Sequence, residues 1–256
     1  MNTAAEEASD ETGFLGGRVR LRQPRLGHRA GTDAALVVAA ARPYAKGRVV
    51  DLGAGVGAIG LSLAVLDPAL EVVLVEIDPV IAALAAETAA LNAREDRVRT
   101  IVEDARALAA DARARRSLGA PYDLVVMNPP FTSARRSQAS PDPRRARAHL
   151  MEEGDLSQWI GAASALLKPK GALVSIYRPD GLGALLEALQ PAFGGIALRP
   201  VHARSEDAAS RILVFARKGG RAPLSIAPPL ILHERDGTFT PLAASIHRGE
   251  VELGFR

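Results

Sequence analysis

The feature that most constrains this chain is a strand that breaks into glycines. In Gly47-Arg48-Val49-Val50-Asp51-Leu52-Gly53-Ala54-Gly55-Val56-Gly57-Ala58-Ile59-Gly60, a short apolar, β-branched run reads as a buried strand. The glycines after it allow a tight turn. They also let backbone amides at the start of the following helix approach a ligand closely. A strand, a glycine turn and a helix in that order predict an α/β fold with a mostly parallel sheet.

The rest of the chain keeps that alternation. Glu71-Val72-Val73-Leu74-Val75-Glu76-Ile77-Asp78 reads as a second strand, and Pro79 opens a long Ala/Leu helix to about Asn92. Val98 to Asp104 is a third strand, and Tyr122 to Val126 a fourth. Residues 154–167 carry apolar positions at helical spacing, and Lys168-Pro169-Lys170-Gly171 ends that helix before the strand Ala172–Tyr177. A helix over 181–190 precedes strands over 195–202 and 211–217, whose short connection makes them antiparallel. Leu230-Ile231-Leu232-His233-Glu234 and Thr238-Phe239-Thr240 flank Asp236-Gly237, a hairpin signal.

At 256 residues, 48% hydrophobic and 24% charged, the chain suits one sizeable α/β core. The division expected is an acidic, disordered leader over 1–12, a hairpin and helix over 13–46, the main α/β domain over 47–220 and a hairpin-like extension over 221–256 packed on it. The hairpin is read from Phe14-Leu15-Gly16-Gly17-Arg18-Val19-Arg20-Leu21-Arg22-Gln23, and Thr32 or Asp33 is expected to cap the helix that follows. The absence of cysteine excludes disulfides, thiolate metal sites and a Cys nucleophile, and allows an intracellular, cytoplasmic location. No signal peptide and no membrane span is read. Net charge is +3, but Glu6, Glu7, Asp10 and Glu11 place −4 in the first dozen residues, leaving +7 on the remainder. That balance is compatible with a polyanionic partner without requiring one.

Three acids stand at strand tips. Gly55-x-Gly57-x-x-Gly60 satisfies the dinucleotide pattern, so spacing alone does not separate nicotinamide cofactors from S-adenosylmethionine. Asp51 does discriminate, because a carboxylate two residues before the first glycine repels a pyrophosphate and attracts a cationic amino-acid end. Glu76, 23 residues after Gly53, stands where an acid meets ribose hydroxyls in such folds. Asp104 ends the third strand, where its carboxylate or the neighbouring backbone meets an adenine amino group.

The fourth strand runs into Met127-Asn128-Pro129-Pro130-Phe131. Two prolines stop both strand and helix and hold the Asn128 amide and the Pro129 carbonyl in one stiff geometry. Phe131 adds a flat face. The set suits a planar heterocycle with an –NH2 group, whose hydrogens the two oxygens accept. Downstream, a polar Pro/Ser-rich loop carries Arg135, Arg136, Arg144 and Arg145. It either grips phosphates beside a target base or is a solvated flap, and the sequence leaves both readings open.

These motifs together resemble the class I S-adenosylmethionine-dependent methyltransferases. Arg29-Ala30-Gly31-Thr32-Asp33 and the Leu-Ile-Leu-His-Glu…Asp-Gly-x-Phe-Thr tail are similar, more narrowly, to the bacterial tRNA(Val) adenine-37 N6-methyltransferase family. The resemblance implies a Rossmann-like fold: a seven-stranded, mostly parallel sheet with an antiparallel last strand and helices on both faces. It implies S-adenosylmethionine as cofactor, with Gly31, Thr32, Asp33, Asp51, Gly53, Ala54, Gly55, Gly57, Glu76, Ile77, Asp104, Ala105 and Asn128 around it. Asn128, Pro129 and Phe131 become the catalytic set, acting on an exocyclic amine without metal. RNA, most readily tRNA, becomes the partner. Rivals are guanine N2 methylation of ribosomal RNA, DNA adenine methylation, glutamine N-methylation of release factors, small-molecule O-methylation, a nicotinamide oxidoreductase and a non-catalytic binding module.

Overall fold

In the computed structural model the described residues are 9–25, 29–130 and 155–255. Seven strands form the body of a sheet that has nine among the described residues: β3 (Arg48–Leu52), β4 (Glu71–Glu76), β5 (Val98–Val102), β6 (Tyr122–Met127), β7 (Leu167–Tyr177), β8 (Phe193–His202) and β9 (Ala209–Lys218). Their order is β5-β4-β3-β6-β7-β9-β8. All neighbours are parallel except β9, which runs against both β7 and β8. The chain leaves β3 toward β4 on one side and returns to β6 on the other, so a crevice opens at the carboxyl end of β3, where open α/β sheets bind ligands.

The central strands are apolar throughout because both faces are covered. One face holds α1 (Thr32–Ala41), α2 (Ala58–Leu66) and α3 (Pro79–Leu91), and Val49, Leu74 and Leu124 point into it. The other holds α4 (Ala112–Ser117), α5 (Asp155–Leu166) and α6 (Leu182–Leu189), and receives Val50, Leu52 and Val125. Successive residues of β3 thus serve opposite cores, as a period of two requires.

Of the disordered leader expected over 1–12, residues 1–8 lie outside the described residues, and the rest is ordered. Ser9–Phe14 form β1, paired antiparallel with β2 (Val19–Pro24) around the Gly16-Gly17 turn. Glu11 is held by Arg20 at 2.6 Å, Asp10 by Arg25 at 2.9 Å, and Thr12 accepts from Gln23 at 2.5 Å. Acids that read as a solvated tail are therefore paired across a hairpin with Arg20 of β2 and Arg25 just after it. The other edge of β2 is closed by α3: Thr88 accepts from the Arg22 amide, and Asn92 both accepts from and donates to the Arg20 backbone. Pairing with β1 on one side and side-chain bonds from Thr88 and Asn92 on the other leave β2 without a bare edge.

Neither Thr32 nor Asp33 caps α1. Gly31 is the N-cap and makes no side-chain bond. Asp33 instead meets Arg211 of β9 at 2.9 Å, which draws its carboxylate away from the helix amides.

The tail also departs from a simple hairpin. Two-residue strands β10 (Ser225–Ile226) and β11 (Leu230–Ile231) add in parallel to the outer edge of β8. The amides of Leu232 and His233 continue that pairing to His202 and Ala203. The unpaired edge of β8 thus competes successfully for this segment, and the Asp236-Gly237 turn retains one antiparallel bridge, His233 to Phe239. Beyond it Thr240 caps α7 (Pro241–His247), a helix too short to show a period in sequence. Among the described residues no helix is long and apolar enough to cross a membrane.

Candidate active site at the carboxyl ends of β3, β4 and β6

The glycine loop leaves β3 at Gly53 and re-enters helix at Gly57, whose positive φ of 86° marks the N-cap of α2. Three contacts hold it. The Ala54 amide donates to the Val75 carbonyl at 2.9 Å, extending the β3–β4 ladder. The Gly55 amide donates to Oε2 of Glu76 at 2.9 Å, while Oε1 accepts from the Asp78 amide at 2.9 Å. Glu76 therefore fastens the loop to the tip of β4, and each oxygen keeps a second lone pair for a ligand hydroxyl.

Gly53 is required twice over. Its φ is +68°, and a Cβ built on it would stand 2.5 Å from Cη2 of Trp159 on α5. Trp159 backs the loop from the opposite face, and its role was not legible, since the helical spacing of residues 154–167 accounts for a buried ring there without naming what it touches. Gly60 is required by approach. A Cβ there would meet Leu74 at 2.5 Å and Asp51 Cβ at 3.0 Å, so α2 lies hard against the sheet.

Asp51 is fully buried on that side. Its Oδ2 accepts from the Gly60 amide at 2.8 Å, and its Oδ1 has no partner among the described residues. Burial pushes its carboxyl up to about 7; the Gly60 bond works against this and the nearby Glu76 charge adds to it. Sequence reading placed Asp51 toward a cationic ligand group, whereas its Oδ2 also ties α2 to β3.

Around β5 the carboxylate of Asp104 is taken by Arg106, through the Arg106 amide at 2.9 Å and the guanidinium at 2.9 Å. Burial acts to raise this carboxyl, but the Arg106 bonds and charge prevail and hold it below its ordinary value. Of the two alternatives read at this strand tip, the backbone is the part left open: the Ala105 amide donates to no described partner. Beside it, large apolar side chains stand in solvent. Ile77 is 56% exposed, Val80 42% and Val102 53%, and Val102 is the register partner of Glu76. Exposed apolar surface gathered at two adjacent strand tips is where a flat ring can shed water. Ile77 was expected here; Val80 and Val102 were not.

On the other side of β3, Met127 pairs with Leu52, so Asn128 emerges beside Gly53. Pro129 is buried. Oδ1 of Asn128 is buried and accepts no hydrogen bond among the described residues. An unsatisfied buried acceptor calls for an explanation, and a ligand donor supplies one. Gly31, Thr32 and Asp33 reach the same carboxyl end through the Asp33–Arg211 pair, because Arg211 lies at the start of β9, next to the pairing of Ile212 with the last residue of β7, Tyr177. Phe131, Arg135, Arg136, Arg144 and Arg145 lie outside the described residues.

Comparison with known proteins agrees with this architecture. The family described as "Methyltransferase small domain" matches residues 30–180. A tRNA1(Val) (adenine(37)-N6)-methyltransferase of Porphyromonas gingivalis is 32% identical, covering 88% of this chain and 89% of that protein. A release factor glutamine methyltransferase of Deinococcus radiodurans is 30% identical over 62% of this chain and 55% of its own length. Among solved structures, a predicted O-methyltransferase from Agrobacterium tumefaciens superposes with a TM-score of 0.72 at 30% identity, covering 87% of this chain and 98% of that one. With its sheet order, glycine loop and matched span in agreement, the chain belongs to the methyltransferase small domain family and is a methyltransferase of the class I fold.

Proposed function

We propose that this enzyme transfers a methyl group from S-adenosylmethionine to the exocyclic N6 amine of an unpaired adenine in tRNA. The observation that carries the reading is the buried, partnerless Oδ1 of Asn128 beside Gly53.

The residues present fit the cofactor. Glu76 has lone pairs to spare for ribose hydroxyls, the Ala105 amide is open to an adenine edge, and Ile77 and Val102 offer the ring an apolar seat. The unpartnered Oδ1 of Asp51 suits the cationic amino-acid end. Bound there, S-adenosylmethionine supplies an electrophilic methyl group on a sulfonium.

The chain's own contribution is to hold the acceptor. Asn128 Oδ1 and the Pro129 carbonyl accept the two amine hydrogens, which raises electron density on nitrogen and fixes the direction of its lone pair. Phe131, directly after, is the residue assigned to stack on the base. The alkylated nitrogen is strongly acidic and gives its proton to water or a neighbouring carbonyl, so no dedicated base is required. A base must leave its stack to reach such a clamp, which favours a loop over a duplex. Arg135, Arg136, Arg144 and Arg145 are assigned to the flanking phosphates.

A primary amide such as a glutamine side chain would fit the same two oxygens. The tRNA reading is preferred because the tRNA-modifying relative matches along 89% of its length and two glutamine-modifying ones along only 55% and 67%. Radiolabelled methyl transfer to unmodified total tRNA, ribosomal RNA and release factor, followed by nucleoside analysis, tests this. Label recovered as N6-methyladenosine from tRNA supports the reading, and label confined to protein or to guanosine overturns it.

A further inference from the structure

The tail motif around His233 and Phe239 is not used by the methyl-transfer site. The structure places it beside a cleft of about 590 Å³ at the carboxyl end of β8. Because β8 runs with β7, this is the same end of the sheet as Asn128. Three strand spacings separate β8 from β6, about 14 Å, which about four stacked nucleotides cover at about 3.4 Å each.

The cleft is built around a column of rings. His233 stacks on Phe239 with centroids 4.9 Å apart and planes at 22°, and Phe239 leans on His247 at 4.4 Å and 31°. Of the three only His233 lines the cleft. The ring is set in place by its Nδ1 contact with the Ala203 carbonyl at 3.2 Å and by the backbone bridge to Phe239. Arg204 and Arg235 also line the cleft, are exposed, and form no ion pair among the described residues. Three carboxylates line it too: Glu206 accepts from Ser205 at 2.8 Å and Asp236 from Thr238 at 2.6 Å, bonds that orient these acids and keep them ionised, and the Glu234 carboxylate takes no hydrogen bond among the described residues. A supported aromatic face, two exposed guanidiniums, of which Arg204 faces the Glu206 charge, and a carboxylate able to take N–H donors are parts found in single-strand nucleotide sites.

We propose that this cleft binds an unpaired nucleotide about four positions along the strand from the methylated base, with its base extending the His233–Phe239–His247 column and its phosphate on Arg204 and Arg235. The inference rests on the RNA-methylating reading above and adds to it a second contact that selects looped over paired RNA.

The test is fluorescence anisotropy of the full chain with a labelled anticodon stem-loop RNA and with a blunt duplex of its stem. His233→Ala should weaken stem-loop binding about tenfold, and His233→Phe should hold it within about twofold of the parent. Arg204→Ala with Arg235→Ala, both surface changes, should weaken it and lower the slope of log affinity against log salt by about one to two. Duplex and S-adenosylmethionine affinities should not move. Stem-loop binding unchanged in His233→Ala and in the arginine pair, equal losses in the Ala and Phe variants, or an equal loss on duplex would each overturn the cleft assignment. Binding is read without turnover. If these shifts appear and no RNA is methylated, the methyl-transfer reading fails and the cleft stands.

Discussion

Trp159 fills the space in which a side chain on Gly53 would have to lie, Cη2 standing 2.5 Å from that Cβ position. Gly53→Ala must therefore adopt a left-handed φ and displace a buried indole at once. It should cost roughly 1–3 kcal/mol of stability and move the loop that meets the cofactor. Combining it with Trp159→Leu removes the clash and leaves the backbone strain, so the two changes should be coupled in a double-mutant cycle. Thermal melts and cofactor titration of the four proteins check this; additive effects would show that the ring does not constrain the loop.

Glu76 should not tolerate its nearest isostere. Both of its oxygens accept backbone amides, from Gly55 and Asp78. Glu76→Gln turns an –NH2 group toward one of those donors, leaving that amide unpaired at a cost of about 1–3 kcal/mol. Its S-adenosylmethionine affinity, read by calorimetry, should fall at least tenfold, close to that of Glu76→Ala.

The proton on Asp51 makes stability depend on pH. The buried carboxyl titrates at about 7 in the fold, against 3.8 when exposed. The native state thus holds a proton that the unfolded chain has lost across this window. Stability carried by the protonated form is full below about pH 4 and is lost as pH rises through about 7. Asp51→Asn, which keeps an acceptor for the Gly60 amide, should flatten urea-melt stabilities between those limits. In the parent protein, a cationic ligand should release a proton near pH 7, visible as a dependence of binding heat on buffer ionisation enthalpy. The same buffer dependence in Asp51→Asn would assign the proton elsewhere.

What could be read in advance follows the range of each interaction. Gly53, Gly55 and Gly57 announce themselves because left-handed backbone is a local demand, and the apolar runs of β3, β4 and β6 because burial on both faces leaves no polar alternation. Asn128 stood out because its two prolines end an apolar strand downstream of the glycine loop. Asp33 was misread as a cap because its partner, Arg211, lies 178 residues away. Ser9 to Thr12 looked like free tail because their charges are matched only once β2 folds back. Trp159 gave no local sign of the glycine it restricts. At Asp104, the arginine two residues on takes the carboxylate, a competition that spacing cannot weigh.

The account turns on Asn128 as the acceptor that holds the reacting amine. Single-turnover methyl transfer to tRNA by Asn128→Ala, with S-adenosylmethionine affinity measured on the same preparation, tests it most directly. The rate should fall by on the order of 10²-fold while the cofactor affinity stays within about twofold. A variant that methylates tRNA at the parent rate, or one that loses activity only because it no longer binds the cofactor, would contradict it.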